Sequence, residues 1–436
     1  MVKVHLLALF AALALMGCDE VDDSTDTAPM NSTPTGTNTG ATTGTNTGTT
    51  TGTATGTTSM PSSWSTSVSP CYGSGTSALL CDDDQACYVG CGETADGTGL
   101  HLTTDGGATW TVPYDIAGGF FSDYRVMDLT RDGDLLYVAG TSNSGSHRVV
   151  SLDTTTGALV EVYMNIFTID HSLTAGSYAR TDDGTEIAES LTGSNIVIRK
   201  PDAGWQATHA NNDGWAAGYG WWLNTDYPNN VQILDMAVAN DKILGVGAQI
   251  NELPTVYLPP RSWAFATDSN GDDYIDQLWE TVALADGFST YDGECWGIDA
   301  NGDGLAVVCV NQTDGAGMVY TIGSDWETTA YDLANWTSTS ASNVVDAALV
   351  AGHSTWNEGV CRGPNNELTV VGRDSQADDG YLMRSTDGGA TWTELTSDVV
   401  AVFGAVPGPI NRCVYTSTHL VLSGSGIFAS AALTDL

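Results

Sequence analysis

The sequence predicts an all-β chain, a single seven-bladed β-propeller of four-stranded antiparallel blades placed after a disordered N-terminal tether. Three observations predict it. Short runs of alternating β-branched and aromatic residues, bounded by Gly, Asp and Asn, recur from residue 64 onward, and helical periodicity is almost absent. Seven of these runs share one design of strand, tight turn and strand. Their turns fall about 50 to 60 residues apart, the length of a four-stranded unit with extended loops.

The design is clearest in VMDLTRDGDLLYVAG from Val126, where an acidic-glycine turn separates two strands. It returns as LDMAVANDKILGVGA from Leu234, WGIDANGDGLAVVCV from Trp296 and GVCRGPNNELTVVGR from Gly359. Weaker copies are ALLCDDDQACYVGCG from Ala78, SYARTDDGTEIAES from Ser177 and NRCVYTSTHLVLSGS from Asn411. The turns lie near Asp83, Asp132, Asp183, Asp241, Gly302, Asn365 and Ser417. Solenoid repeats are shorter, and a sandwich needs no set of equivalent hairpins. A blade leaves an apolar face that only its neighbour covers, so a closed ring removes the unsatisfied ends.

An octapeptide, TDGGATWT, occurs twice, at Thr104–Thr111 and Thr386–Thr393. The copies are 282 residues apart, which places them at one position in the first and sixth repeats. With its flanks the string resembles the Asp-box of bacterial neuraminidase-repeat propellers, Ser/Thr-x-Asp-x-Gly-x-Thr-Trp. Thr103, Asp105, Gly107, Thr109 and Trp110 match, as do Ser385, Asp387, Gly389, Thr391 and Trp392. Weaker relatives are SLDTTTG at Ser151, KPDAGW at Lys200 and GSDWE at Gly323. The chemistry of the string points to scaffold. Asp in a tight turn accepts from amides just ahead, Gly permits positive φ, the hydroxyl adds a local partner, and Trp buries the hairpin's root. The resemblance implies a loop between the third and fourth strands of a blade, away from any catalytic centre. It extends loosely to photosystem II assembly-factor-like and sortilin-like propellers, which implies protein binding.

At the N-terminus one Lys precedes an apolar run from Leu6 to Met16 and then LMGC ending at Cys18. The run is shorter than the ~20 apolar residues a membrane span needs. Its spacing resembles the bacterial lipobox, which implies a signal peptide over 1–17 and a lipidated Cys18. Residues 18–63 are dominated by Thr, Gly, Ser, Asn and Ala, too poor in apolar groups to form a core. As a flexible coil they reach ~35 Å. The expected chain is therefore an exported lipoprotein of the outer membrane or cell surface, anchored through its N-terminal lipid, with the propeller over 64–436.

Asp and Glu outnumber Lys and Arg 53 to 13, which excludes a phosphate-binding basic face and so nucleic acid as a partner. A monomer is expected. Nine cysteines less Cys18 leave an even set, and exported chains form disulfides. Cys295 and Cys309 flank a Gly-Asp-Gly turn symmetrically, which sets them opposite each other across a hairpin. Cys361 and Cys413 hold equivalent places in successive repeats and are expected to staple them. Cys71, Cys81, Cys87 and Cys91 supply two further bonds of open pairing.

No convergent catalytic set is legible, so the first functional expectation is a recognition or scaffold module with a protein or glycan partner. The sialidases that carry this box need an arginine ahead of the first copy, and this chain has none before Arg125, which disfavours that activity. A glycoside hydrolase using two channel carboxylates stays open as the alternative. Trp215, Tyr219, Trp221, Trp222 and Tyr227 crowd one Gly-rich stretch, suited to stacking on a partner or to packing between blades. Asp268, Asn270, Asp272, Tyr274 and Asp276 have the spacing of a calcium loop. Gly is missing at its sixth position and Trp279 stands where the bidentate acid belongs.

Overall fold

A computed structural model describes residues 64–71, 75–91, 99–112, 124–142, 147–164, 175–190, 196–199, 205–207, 232–249, 253–259, 280–284, 293–311, 317–341, 355–374, 380–396 and 408–436. Strand β1 (Trp64–Ser67) opens the described chain. The first sheet then holds β2 (Thr76–Cys81), β3 (Cys87–Cys91) and β4 (Gly99–Thr103). The second holds β5 (Tyr124–Asp132), β6 (Leu135–Ser142), β7 (His147–Asp153) and β8 (Leu159–Met164), and the third β9 (Ala175–Arg180), β10 (Glu186–Ser190), β11 (Ile196–Arg199) and β12 (Trp205–Ala207). Strands β13 (Gln232–Ala239), β14 (Lys242–Gln249), β15 (Leu253–Leu258) and β16 (Glu280–Ala283) form the next. They are followed by β17 (Gly293–Asn301), β18 (Gly304–Asn311), β19 (Gly317–Ile322) and β20 (Thr337–Ser340). The sixth sheet is β21 (Thr355–Arg362), β22 (Leu368–Asp374), β23 (Gly380–Ser385) and β24 (Thr393–Glu394). The chain ends in β25 (Ile410–Tyr415), β26 (His419–Gly424) and β27 (Phe428–Ala432).

Each of the seven hairpins read from the sequence is a first-and-second strand pair, from β2–β3 to β25–β26. The sheets are antiparallel meanders, and each first strand packs against the first strand of the next sheet, β25 against β2 included. This is an all-β propeller. Second and third strands are covered on both faces, which is why β19 is buried at every position and its sequence, GMVYTI, shows little polar alternation. Fourth strands reach the rim, and β20 is the polar string TSTS. The core is accordingly divided into clusters between sheets. Leu244, Val246 and Val256 meet Leu305, Val307 and Tyr320 in one of them.

The expected count of seven four-stranded blades needs correction. Among the described residues six sheets have four strands, and the β2 sheet has three. After β4 the chain returns to pair as a bridge, Leu102 to Thr111, with reciprocal backbone bonds of 2.8 and 2.9 Å. The second octapeptide copy runs into Glu394, and there a short β24 forms.

The ring is closed by an exchange of ends. Strand β1 adds to the outer edge of β27, so the last sheet reads β1-β27-β26-β25. Trp64 is buried there among Leu420, Leu422 and Ala431. A few residues later Cys71 is bonded to Cys91 in β3, which ties the N-terminal segment to the first sheet. Cys81–Cys87 and Cys295–Cys309 are cross-strand bonds within hairpins, and Cys361–Cys413 joins β21 to β25.

Candidate functional site

Both octapeptide loops adopt one hydrogen-bonded form. Asp105 accepts from Thr103 Oγ1 at 2.8 Å, Thr109 N at 2.8 Å and Thr109 Oγ1 at 2.6 Å. Asp387 accepts from Ser385 Oγ, Thr391 N and Thr391 Oγ1 at the same three distances. The Thr391 hydroxyl and amide hold Asp387 down at about 2, and Thr109 lowers Asp105 likewise. Gly107 and Gly389 sit at φ of 89° and 93°. A Cβ on Gly107 would fall 2.5 Å from Ser67 Oγ, and one on Gly389 2.9 Å from Thr321 Cγ2. Trp110 donates to Val68 O at 3.2 Å and meets Phe428 edge-on at 5.0 Å, whereas Trp392 packs beside Val370 and Met383. The Asp, Thr/Ser, Gly and Trp groups that define the loop are thus engaged in the turn or in packing against the sheets. Of the other candidates, Cys18, the aromatic set Trp215, Tyr219, Trp221, Trp222 and Tyr227, and the calcium set Asp268, Asn270, Asp272, Tyr274 and Asp276 lie outside the described residues.

The chemistry that the sequence reading missed lies around the channel. Every first strand carries one extra residue, a β-bulge: Ser77, Met127, Gly176, Leu234, Trp296, Glu358 and Asn411. A bulge unpairs one residue and re-aims the next. The residues that follow form one tier around the axis: Ala78, Asp128, Ser177, Asp235, Gly297, Gly359 and Arg412. At the glycines the backbones touch, since a Cβ on Gly359 would stand 2.7 Å from Asn411 O. At the aspartates a carboxylate spans the gap instead.

Asp128 Oδ2 accepts Tyr178 N from the next sheet at 2.9 Å, and its Oδ1 accepts Leu129 N at 2.7 Å. Asp235 Oδ2 accepts Ile298 N, again from the next sheet, at 2.9 Å. Asp299 lies one pleat nearer the turn and accepts Arg362 N at 2.7 Å. These carboxylates are half-buried, with part of their surface toward the channel. Burial therefore raises them, Asp128 to about 7 with the Asp235 charge adding to it, and Asp235 and Asp299 each to about 6. The Arg412 guanidinium pulls Asp235 back most strongly. Arg412 also donates to Ser77 O at 2.7 Å, Asn411 O at 2.9 Å and Glu358 O at 3.1 Å, the carbonyls of three bulged residues. A cavity of about 130 Å³ lies here, between Met127, Leu234 and these charges.

Toward the first-hairpin turns the channel widens into a funnel of about 650 Å³, with Asp128 and Tyr178 deep in it and Asp182, Asn240 and Asp241 at its edge. Two arginines line it, and both are matched. Arg131 pairs with Asp82 at 3.4 Å, and Arg180 pairs with Asp132 at 3.0 Å and with buried Glu186 while lying 4.6 Å over the Tyr137 ring.

These shifts set a pH dependence. A carboxyl raised in the folded state favours folding below its unfolded value near 4 and loses that contribution as pH rises through the folded value. For Asp128 the swing is about 4 kcal/mol at 1.4 kcal/mol per unit. Asp387 and Asp153, held at about 2, act oppositely and weaken the fold only as pH drops below about 4. The melting temperature is expected to rise between pH 8 and pH 5 and to fall below pH 3.5. A calorimetric pH series on Asp128→Asn should show a flatter segment between pH 5 and 8.

Solved structures share this architecture. YCF48 bound to D1 peptide matches with a TM-score of 0.51 and 15% identity, over 85% of this chain and 97% of that one. YCF48 from Cyanidioschyzon merolae gives 0.51 and 14% over 85% and 99%. Virginiamycin B lyase from Staphylococcus aureus gives 0.52 and 11% over 85% and 99%. At such identities the likeness is one of fold. No family model matches the sequence, and no curated relative does.

Proposed function

We propose that the protein is an exported, lipid-anchored recognition or scaffold module, a seven-bladed Asp-box propeller in which the three-stranded β2 sheet is the remaining blade. One observation carries the reading. The carboxylates and the guanidinium of the channel tier are bonded into joins between sheets: Asp128, Asp235 and Asp299 accept backbone amides across sheet boundaries, and Arg412 donates to three bulge carbonyls. A catalytic carboxyl needs an oxygen free to attack or to hand over a proton. YCF48 with its bound D1 peptide is a propeller of similar fold that holds a peptide, which supports a protein partner here. Cys18 supplies the anchor and residues 18–63 the reach.

The alternative, a two-carboxylate glycoside hydrolase, is favoured by the raised values of Asp128 and Asp235 beside one cavity. The full-length protein should bind a member of a panel of purified envelope proteins or glycans and release no reducing ends from polysaccharides. Hydrolysis abolished by Asp128→Asn or Asp235→Asn would replace the recognition reading with the enzymatic one.

A further inference from the structure

The funnel has an imbalance of charge that its ion pairs do not cancel. Arg131 and Arg180 are neutralised by Asp82, Asp132 and Glu186. The other charged residues lining it are Asp128, Asp182 and Asp241, and among the described residues none of these makes an ion pair. Behind Asp128, Arg412 serves chiefly Asp235 and three backbone carbonyls. Its mixed lining includes the apolar side chains of Leu80, Leu129, Ala179, Met236, Ala237 and Val238. A concave space with aliphatic groups in its lining, one deep carboxylate and two more at the lip matches a long aliphatic stem ending in a positive charge.

We propose that the funnel receives the side chain of a lysine or arginine from a partner protein, its stem against Met236 and Leu129 and its charge directed at Asp128. This rests on the recognition reading and names the chemistry of its partner. Burial raises Asp128, and a cation beside it would draw it back toward the ionised form. The guest meets Asp128 at the base with Asp235 and Arg412 behind it, Arg131 and Arg180 from the walls, and Asp182 and Asp241 at the lip, so attraction exceeds repulsion once the arginines are paired.

The test uses full-length protein and dye-labelled, capped glycine–serine peptides with one central lysine, norleucine or acetyl-lysine, followed by fluorescence anisotropy. The lysine peptide is expected to bind about tenfold more tightly than either neutral one, a gap of about 1.4 kcal/mol. Asp128→Asn should remove that preference. Because this variant also alters a sheet-to-sheet bond, Thr130→Trp, which fills the funnel and keeps every carboxylate, should abolish binding with the melting temperature retained. Asp182→Asn with Asp241→Asn should weaken it severalfold, while Asp83→Asn with Asp84→Asn, outside the funnel, should not. Equal binding of the three peptides, binding that survives Thr130→Trp, or equal losses from the two surface pairs would overturn the proposal. A partner protein that binds equally well after its lysines are acetylated and its arginines blocked would overturn it too, and would leave the recognition reading standing.

Discussion

Arg412→Met is expected to lower the free energy of unfolding by about 3–5 kcal/mol at pH 8. The guanidinium satisfies the carbonyls of Ser77, Glu358 and Asn411, which the bulges have removed from the ladders, and it is the cation that most lowers Asp235. Methionine preserves the stem and none of the donors. It leaves three carbonyls facing the channel and a carboxylate without its counter-charge. At pH 5, where Asp235 with its value of about 6 is mostly protonated, the charge part of the loss disappears, so the penalty should be smaller. Arg412→Lys keeps the charge but not the three-way fork and should fall between. Asp235→Asn in the Arg412→Met background should recover part of the loss. Denaturant titrations at pH 5 and 8 read all four outcomes. An equal penalty at both pH values would show that Arg412 acts only through the carbonyls.

Trp64→Ala should cost a comparable 3–5 kcal/mol, the usual range for a buried tryptophan truncated in a core. Its effect depends on Cys71. Strand β1 offers four residues of pairing to β27, and Trp64 is its one fully packed anchor. With Cys71–Cys91 intact, a loosened β1 stays beside its groove, and re-pairing is a short-loop event. With Cys71→Ser and Cys91→Ser the segment is free, and β27 is exposed as an unprotected sheet edge. The combined variant should therefore lose more than the sum of its parts and aggregate on heating, which light scattering during a thermal ramp would detect. Strict additivity would mean that the disulfide and the strand secure different parts of the ring.

Much of this architecture was legible in the sequence because its causes are local. The hairpins announce themselves through alternation and acidic turns, and Cys295 and Cys309 are opposite residues of one pair. The octapeptide was legible as scaffold because its Asp, Thr and Gly bond to one another within four residues. The channel was not read. MDL, LDM and IDA look like equivalent interruptions of apolar strands, and each Asp passes for a turn residue. Pairing puts Asp128 and Asp235 in one tier and Asp299 two residues farther along, a distinction made by where each bulge falls. Arg412 is still harder to read, since its acceptors Ser77 and Glu358 stand 335 and 54 residues away. Position in the chain gives no hint that the three share an axis.

The tier around that axis is unequal from one repeat to the next. Carboxylates stand on β5 and β13, bare backbone on β17 and β21, and a guanidinium on β25. A repeated ring is nominally indifferent to rotation, but this one carries a transverse electric polarity, negative on one side and positive toward the other. Anything seated over its axis therefore has one preferred azimuth, and a guest turned by a single repeat meets a different field.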